Sequence, residues 1–377
     1  MYLRTTPQKP KNKLLGVWIA LVAAYLSVGL LYYSRETGVM PGFVRATPTP
    51  AETLDQRLER GDKAFADGNL PGAEEAYQQA VTLAPNNDRA LAKYALILSF
   101  RRRFDDAVTY ANRAVAADPR SALNYAILAF ALDWDSKPED AITAGLSATD
   151  LDPGFADAYA YLAEAYADLN RTDQSLAMAR QAVTLDDNSW LAHRSLGYAY
   201  EHLGRYKTAV DEYRRAIELF PKMAILYMEL SQNLRQIRAN QEADDMLTKA
   251  SDLDPSNPEI HDAIGRILYD RGKYDEAQAR FKRAVEADPL YAVGFAHLAW
   301  TYYAQRQYEE AIPNFEEAIR KGATTNEFYY ELGLSYAFLG QCDKAVPWLD
   351  KALANEPDSE PALQGKQLCD DSSNKGG

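Results

Sequence analysis

The feature that most constrains the fold of this chain is a 34-residue spacing that organises about four-fifths of its 377 residues. Proline recurs on that spacing, and the series is interrupted at Asp187 and Ala323. A fixed period of about 20 to 50 residues is typical of proteins that stack similar structural units, because one unit cannot bury its apolar face alone. The prolines of the series are Pro85, Pro119, Pro153, Pro221, Pro255, Pro289 and Pro357.

Small side chains recur at three further positions of every unit, as at Gly61, Ala73 and Ala80 in the first one. Each position holds glycine, alanine or serine in all nine copies. Small residues let two helix backbones approach closely, while larger Leu, Tyr and Phe side chains fill the space beside them. We therefore predict that each unit is a pair of helices of about a dozen residues, joined by a turn and followed by the proline.

This pattern resembles the tetratricopeptide repeat family over residues 54–359. It is carried most fully by LGYAYEHLGRYKTAVDEYRRAIELFP from Leu196 and by IGRILYDRGKYDEAQARFKRAVEADP from Ile264. The resemblance implies an all-α fold, a right-handed α-solenoid of nine helical hairpins with a concave groove lined by the first helix of each unit. The predicted units are 54–87, 88–121, 122–155, 156–189, 190–223, 224–257, 258–291, 292–325 and 326–359.

An uncharged run precedes the repeats at residues 14–33, LLGVWIALVAAYLSVGLLYY. As a helix it would be about 30 Å long, the thickness of the hydrocarbon core of a membrane. We predict one transmembrane helix here, after a basic head at 1–13 and before a Pro-rich linker at 34–53. A buried core helix is one alternative, which the polar flanks disfavour. A cleaved signal peptide is the other, although the run is long and lacks a small-residue cleavage site.

Basic residues beside this run predict its orientation. Four of them precede it and two lie in the twenty residues that follow. Because positive charge is enriched on the cytoplasmic side, we predict a single-pass membrane protein with a cytoplasmic N-terminus and extracytoplasmic repeats. The residues are Arg4, Lys9, Lys11 and Lys13 before the run and Arg35 and Arg45 after it.

The composition argues against several classes of function. A net charge of −13 disfavours nucleic-acid binding, which needs a concentrated basic face. Two cysteines and four scattered histidines do not form a recognisable metal-binding pattern. The sequence contains no phosphate-binding loop and no nucleophile elbow. We therefore predict no enzyme, no catalytic residue, no metal and no cofactor.

The resemblance also implies where a partner binds, since the family uses set positions of the first helices to line its groove. Here those positions hold aromatic rings interleaved with charged side chains, and aromatic and arginine residues are the usual anchors of interfaces. We predict that the groove binds a peptide or protein segment; the alternative is that many of these rings pack between adjacent units. The predicted groove residues are Phe65, Phe100, Phe130, Trp134, Tyr161, Arg194, Tyr198, His202, Arg235, Arg266, Tyr269, Trp300, Tyr303, Tyr330 and Phe338.

The two cysteines lie near the C-terminus. Cys342 is at the turn inside the ninth unit, and Cys369 lies in segment 360–377, which we predict to be a capping helix and a flexible tail. Because consecutive helices run antiparallel, the start of one lies beside the end of the next. We predict a disulfide that staples the cap, as expected in an oxidising compartment, with two reduced thiols as the alternative.

Together these features predict a membrane-tethered scaffold or assembly factor of a bacterium that binds other proteins through its groove. A cytoplasmic-facing membrane receptor or co-chaperone adaptor is an alternative, although the lysines and asparagines with which the family clamps acidic C-terminal tails are not reproduced. A glycan-binding accessory protein is another, because aromatic grooves also stack sugars. Self-association into a homo-oligomer stays open, since terminal units of solenoids often pair.

Overall fold

The computed structural model describes residues 18, 21–29, 32–33 and 52–375, with side chains described as far as Asp371. The chain divides into two compact units, Met1–Thr53 and Leu54–Gly377. In the first unit, residues 18, 21–29 and 32–33 are helical. The predicted basic head at 1–13 and the predicted linker at 34–51 lie outside the described residues.

The predicted transmembrane helix at 14–33 is not supported. Residues 14–17, 19–20 and 30–31 lie outside the described part of the chain, and none of the helices within that part is long and apolar enough to cross a membrane. The predicted localisation as a single-pass membrane protein with extracytoplasmic repeats is therefore wrong.

Residues 54–375 form nineteen α-helices without a strand, which confirms the predicted all-α solenoid. The first helices of successive units begin 34 residues apart, from Leu54 to Asp88 and onward to Glu360. These helices are α1 (Leu54–Ala66), α3 (Asp88–Phe100), α5 (Ala122–Trp134), α7 (Ala156–Asp168), α9 (Trp190–His202), α11 (Ala224–Gln236), α13 (Pro258–Asp270), α15 (Ala292–Ala304), α17 (Asn326–Phe338) and the terminal α19 (Glu360–Lys375).

The second helix of each unit returns antiparallel to the first and packs against it. Nine such helices alternate with those above, so each first helix also meets the second helix of the preceding unit. They are α2 (Leu70–Leu83), α4 (Phe104–Ala117), α6 (Pro138–Leu151), α8 (Thr172–Leu185), α10 (Tyr206–Leu219), α12 (Asn240–Leu253), α14 (Tyr274–Ala287), α16 (Tyr308–Arg320) and α18 (Cys342–Asn355).

The small positions of the sequence lie where the two helices of a unit touch. Ala73 and Ala80 of α2 have no exposed surface. A Cβ atom added to Gly61 would lie 2.3 Å from the Tyr77 ring, and one added to Gly265 would lie 2.6 Å from the Phe281 ring. A large ring of the second helix therefore occupies the space that a side chain on the first helix would need.

In the turn after each first helix from α1 to α17, one residue has a left-handed backbone conformation with a positive φ. Glycine fills this position in four units, while in five units a residue with a side chain adopts a φ between 56° and 63°. This conformation is unfavourable by about 1–2 kcal/mol for an L-residue, so the packing of the helix pair imposes it. The nine residues are Gly68, Arg102, Ser136, Asn170, Gly204, Arg238, Gly272, Arg306 and Gly340.

The solenoid curls far enough for units five to seven to contact units one and two. Lys222 Nζ donates a hydrogen bond to Asp67 Oδ1 at 2.7 Å across 155 residues of sequence. Arg102 pairs with Glu259, and its Nε lies 3.5 Å from Asp288 Oδ2. These contacts bring the start of the solenoid against its middle and decide which part of the groove stays open.

Candidate partner-binding groove

The first helices of units one to five fill their shared inner face with their own aromatic rings. The Phe100 ring centroid lies 5.6 Å from that of Phe65, 5.2 Å from Phe130 and 5.7 Å from Trp134. The Tyr161 ring continues the series at 4.6 Å from Phe130. We call the whole group the inner aromatic cluster; it consists of Phe65, Phe100, Phe130, Trp134, Tyr161, Trp190 and Phe220.

Trp190 and Phe220 reach this cluster from unit five because the solenoid curls. Their ring centroids lie 5.3 Å apart, and Phe220 also lies 5.6 Å from Phe65. The cavity beside the cluster, between Phe100 and Met223, measures about 20 Å³, which is room for about one water molecule. The five groove residues predicted for this half thus pack against one another, and a larger cavity of about 630 Å³ opens beside Phe100, lined mainly by charged residues such as Arg102 and Asp288.

Arg194 lies beside the cluster in a buried ion-pair network. Its Nη1 donates to both carboxylate oxygens of Glu164 at 2.8 Å, and its Nη2 donates to Glu229 Oε1 at 2.6 Å. The guanidinium carbon is 5.6 Å from the centroid of the Trp134 ring. Only 4% of the arginine side chain is exposed. The predicted groove residue Arg194 is thus engaged by carboxylates of the same chain.

This buried network contains more carboxyl groups than the single guanidinium of Arg194 can neutralise. Burial raises the pKa of Glu229 to about 7, although Arg194 opposes the shift. Asp133 lies nearby, and its Oδ1 has no hydrogen-bond partner among the described residues. Burial, followed by the charges of Asp168 and Glu164, raises the pKa of Asp133 to about 9. Asp133 is therefore protonated at neutral pH, because ionisation would place an unpaired charge in the interior.

We expect the solenoid to lose stability as the pH rises from about 5 to 8. The folded chain keeps a proton on Asp133 up to about pH 9, whereas the unfolded chain releases it near the usual value of 3.8. Since the folded state binds more protons in this window, the free energy of unfolding falls with increasing pH. Asp133→Asn stays neutral, so its free energy of unfolding relative to the unaltered chain should rise by up to about 4 kcal/mol between pH 5 and pH 8, at about 1.4 kcal/mol per pH unit. Urea unfolding at both pH values measures this.

Asp150→Asn is the matched control, because Asp150 lies on α6 of the same unit and is exposed. It should change the free energy of unfolding by less than about 0.5 kcal/mol at either pH. The assignment of a buried neutral carboxyl fails if the asparagine variant at position 133 is destabilised at pH 8 as much as at pH 5.

Four predicted residues between the two ends of the groove reach solvent. Tyr198 and His202 form a pair with ring centroids 4.5 Å apart, and the Tyr198 hydroxyl donates to Asp168 at 2.5 Å. Arg235 is partly exposed and its Nη2 lies 3.3 Å from an Asp270 oxygen, while Arg266 is exposed. No ring contact of the described residues joins the Tyr198 pair to the aromatic residues of later units.

The last three units carry a second group of aromatic residues, which we call the C-terminal aromatic patch. The Tyr308 ring stacks on Phe338 at 4.9 Å and meets Tyr303 edge-on at 5.6 Å. Every member is at least partly exposed, and Phe338 is 47% exposed. The patch consists of Tyr269, Trp300, Tyr303, Tyr308, Tyr330 and Phe338.

Glu331 lies among these rings and was not among the residues predicted from the sequence. Burial raises its pKa to about 8; the indole N–H of Trp300 opposes the shift and Glu327 adds to it. Within the described residues, Glu331 Oε2 and Trp300 Nε1 are both buried without a completed hydrogen bond. A signal existed in the sequence, because Glu331 occupies the same place in its unit as Glu229.

Cys342 and Cys369 form a disulfide in the structure, with Cα atoms 5.4 Å apart. Cys342 begins α18 and Cys369 lies on α19, which packs against both α17 and α18. Among the described residues, no group of three or more His, Cys, Asp and Glu side chains is arranged to hold a metal ion.

Two family models match segments of the repeat region of this chain. A family model described as tetratricopeptide repeat matches residues 58–122, 161–224 and 297–360, about half of the chain. A second model with the same description matches residues 238–299 and 268–322. No curated protein matches the sequence.

Solved structures with the same fold are distant in sequence. The APC/C hetero-tetramer Cut9–Hcn1 superposes with a TM-score of 0.62 at 16% identity, over 85% of this chain and 67% of that one. The human IFIT1 dimer with m7Gppp-AAAA gives 0.53 at 16% identity, over 90% and 78%. Pseudomonas aeruginosa pilF gives 0.51 at 20% identity, over 56% and 96%. At these identities the likeness concerns the fold.

Proposed function

Because this chain belongs to the tetratricopeptide repeat family, we propose that it is a protein–protein interaction scaffold that binds a peptide or protein segment on its C-terminal aromatic patch. The proposal narrows the predicted groove to its last three units. It assigns no catalytic step to the chain, in keeping with the usual role of these repeats as scaffolds.

The exposure of the patch is the observation that carries the proposal. Phe338 is 47% exposed and stacks on Tyr308, which is itself partly exposed. Aromatic side chains lose much unfavourable contact with water when a partner covers them, so clustered exposed rings favour an interface. In the first five units the same residue types are already covered by the inner aromatic cluster, which leaves the patch as the more available surface.

The test uses peptides selected on the purified full chain from a random library, followed by measurement of Kd by isothermal titration calorimetry. Phe338→Ala and Tyr308→Ala should each weaken binding about tenfold or more, because truncation of a central aromatic anchor removes more than about 1.4 kcal/mol. Leu146→Ala is the matched control, since Leu146 is a large apolar residue of α6 with 44% exposure outside the patch.

The proposal is refuted if the selected peptides bind the Phe338 and Tyr308 variants with unchanged affinity. It is refuted equally if Leu146→Ala weakens binding as much as they do, because the peptides would then recognise exposed apolar surface in general. Circular dichroism of each variant establishes that the helices are retained.

A further inference from the structure

A short loop of unit five, Phe220–Met223, is seated on units one and two, and we call it the returning loop. Its Phe220 ring is buried, with the centroid 5.6 Å from that of Phe65. Its Lys222 Nζ donates a hydrogen bond to Asp67 Oδ1 at 2.7 Å. One loop therefore supplies an aromatic contact and, two residues later, a cationic contact to the same part of unit one.

The surface under the returning loop fits it closely. Met223 is 2% exposed, and the cavity that it lines together with Gly68 and Phe100 measures about 20 Å³. A Cβ atom added to Gly68 would lie 2.5 Å from the backbone oxygen of Lys222, so a side chain here would collide with the loop. The three other glycines at this place in the turn, Gly204 among them, have open space around the added atom. The close approach is therefore specific to unit one.

The returning loop departs from the repeat at the position of its aromatic residue. Phe220 directly follows the second helix of its unit, and its backbone N–H bonds to the carbonyl group of the alanine four residues earlier. Aspartate makes the same bond at this place in five other units, so the helix pair does not need a phenylalanine here. The contact with Phe65 explains the aromatic residue instead. The five aspartates are Asp118, Asp152, Asp186, Asp254 and Asp288.

Two features leave the returning loop open to displacement. The side chains of Lys222 and Asp67 are each about half exposed, so their ion pair contributes little to holding the loop in place. The cavity of about 630 Å³ beside Phe100, at whose rim Leu290 is 77% exposed, gives a second chain access to the edge of the inner aromatic cluster. A segment that enters there reaches the rings that the loop now covers.

We propose that the returning loop is an internal ligand, and that a partner polypeptide displaces it with a segment that carries an aromatic residue two positions before a lysine or arginine. The aromatic side chain would take the place of Phe220 against Phe65, and the cation would take the place of Lys222 at Asp67. Because loop and partner compete for one surface, the contact is autoinhibitory. This site lies on units one and two and goes beyond the proposed function, which concerns the C-terminal aromatic patch.

The probe is the acetylated and amidated peptide ELFPKMA, which copies residues 218–224, titrated into the full chain by isothermal titration calorimetry. Lys222→Glu in the full chain should tighten its binding about tenfold, because a weakened internal ligand leaves the surface free more often. Phe220→Ala should do the same without a change of charge. Phe65→Ala should weaken binding about tenfold, because it removes the ring that receives the aromatic residue.

Lys207→Glu is the matched control for the charge change. Lys207 is an exposed lysine on α10 of the same unit and lies outside the returning loop. Its replacement should change the affinity for the probe less than about twofold. Circular dichroism of every variant establishes that the helices are retained.

A measurement on the unaltered chain does not depend on any variant. Hydrogen peroxide oxidises a methionine only where it reaches the sulfur, so Met223 should oxidise at least about threefold faster when saturating probe displaces the loop. Met228 of α11 is 7% exposed and is the internal reference, whose oxidation should not change. Mass spectrometry reads both residues in one tryptic fragment, 223–235.

The inference is overturned if Phe220→Ala and Lys222→Glu bind the probe no tighter than the unaltered chain, or if Met223 stays protected at saturating probe. Equal binding of a peptide with alanine in place of its phenylalanine would overturn it too. Probe binding that Phe338→Ala weakens as much as Phe65→Ala would overturn this site and support the proposed function. Conversely, a probe that depends on Phe65, when no selected peptide depends on Phe338, would support this site and refute the proposed function.

Discussion

Arg194→Ala is expected to lower the free energy of unfolding by about 3–5 kcal/mol. Without the guanidinium, Glu164 and Glu229 would be buried carboxyl groups with no cation between them. Burial alone would lower the pKa of Arg194, but Glu164 and Glu229 raise it well above its usual value, so the cation is held firmly. Removal of the cation leaves an uncompensated charge or forces protonation, and both destabilise the folded chain. Urea unfolding at pH 7, followed by far-UV circular dichroism, measures the loss.

Two further variants test this explanation. Arg235→Ala removes the arginine of a partly exposed pair with Asp270, so we expect a change of less than about 1 kcal/mol. Replacement of Arg194, Glu164 and Glu229 together by leucine should recover most of the lost stability, because no charge is then left unpaired. A loss below about 1 kcal/mol for the single Arg194 variant would mean that water reaches the network.

Cys369→Ala is expected to lower the stability of the C-terminal cap by about 3.5 kcal/mol, the loop-closure contribution for a separation of 27 residues. Cys369 is buried, and α19 packs only on α17 and α18 among the described helices. Loss of the bridge should therefore free α19 to fray before the rest of the solenoid unfolds. Hydrogen exchange of the α19 amides, with and without a reducing agent, measures the effect.

Variants of each cysteine of the disulfide serve as controls for one another. Cys342→Ala, Cys369→Ala and the double variant should behave alike, because each removes the same covalent link and the effects of linked residues do not add. Reduction should destabilise the unaltered chain and leave all three variants unchanged. Alkylation of two thiols in the native, unreduced protein would show that the bridge is not formed.

Much of the fold can be predicted from the sequence. The prolines and the small residues at positions such as Gly61 and Ala80 predict the helix pairs, and the helices begin on the same 34-residue spacing. These features are local, because each reports a contact within one unit or with the next.

The predicted groove residues show that the position of a residue in its repeat unit does not predict whether it is exposed. Position in the unit placed Phe100 and Phe338 on the same inner face, yet Phe100 is buried in the inner aromatic cluster and Phe338 is exposed. Their surroundings differ because unit five returns to cover unit two, whereas among the described residues no later unit returns to cover Phe338. Arg194 was likewise predicted at the groove, but two acids from neighbouring units enclose it.

The sequence by itself determined the repeat: the length of the unit, its helix pair, the small contact positions and the all-α solenoid. The tertiary structure decided which part of the groove is closed, as seen in the contacts of Arg102 with Glu259 and of Lys222 with Asp67. The physical reason is that the curl of a solenoid is the sum of small rotations between successive units. Each rotation depends on side-chain packing at one interface, so residues more than 150 positions apart meet through an accumulated geometry that no single repeat encodes.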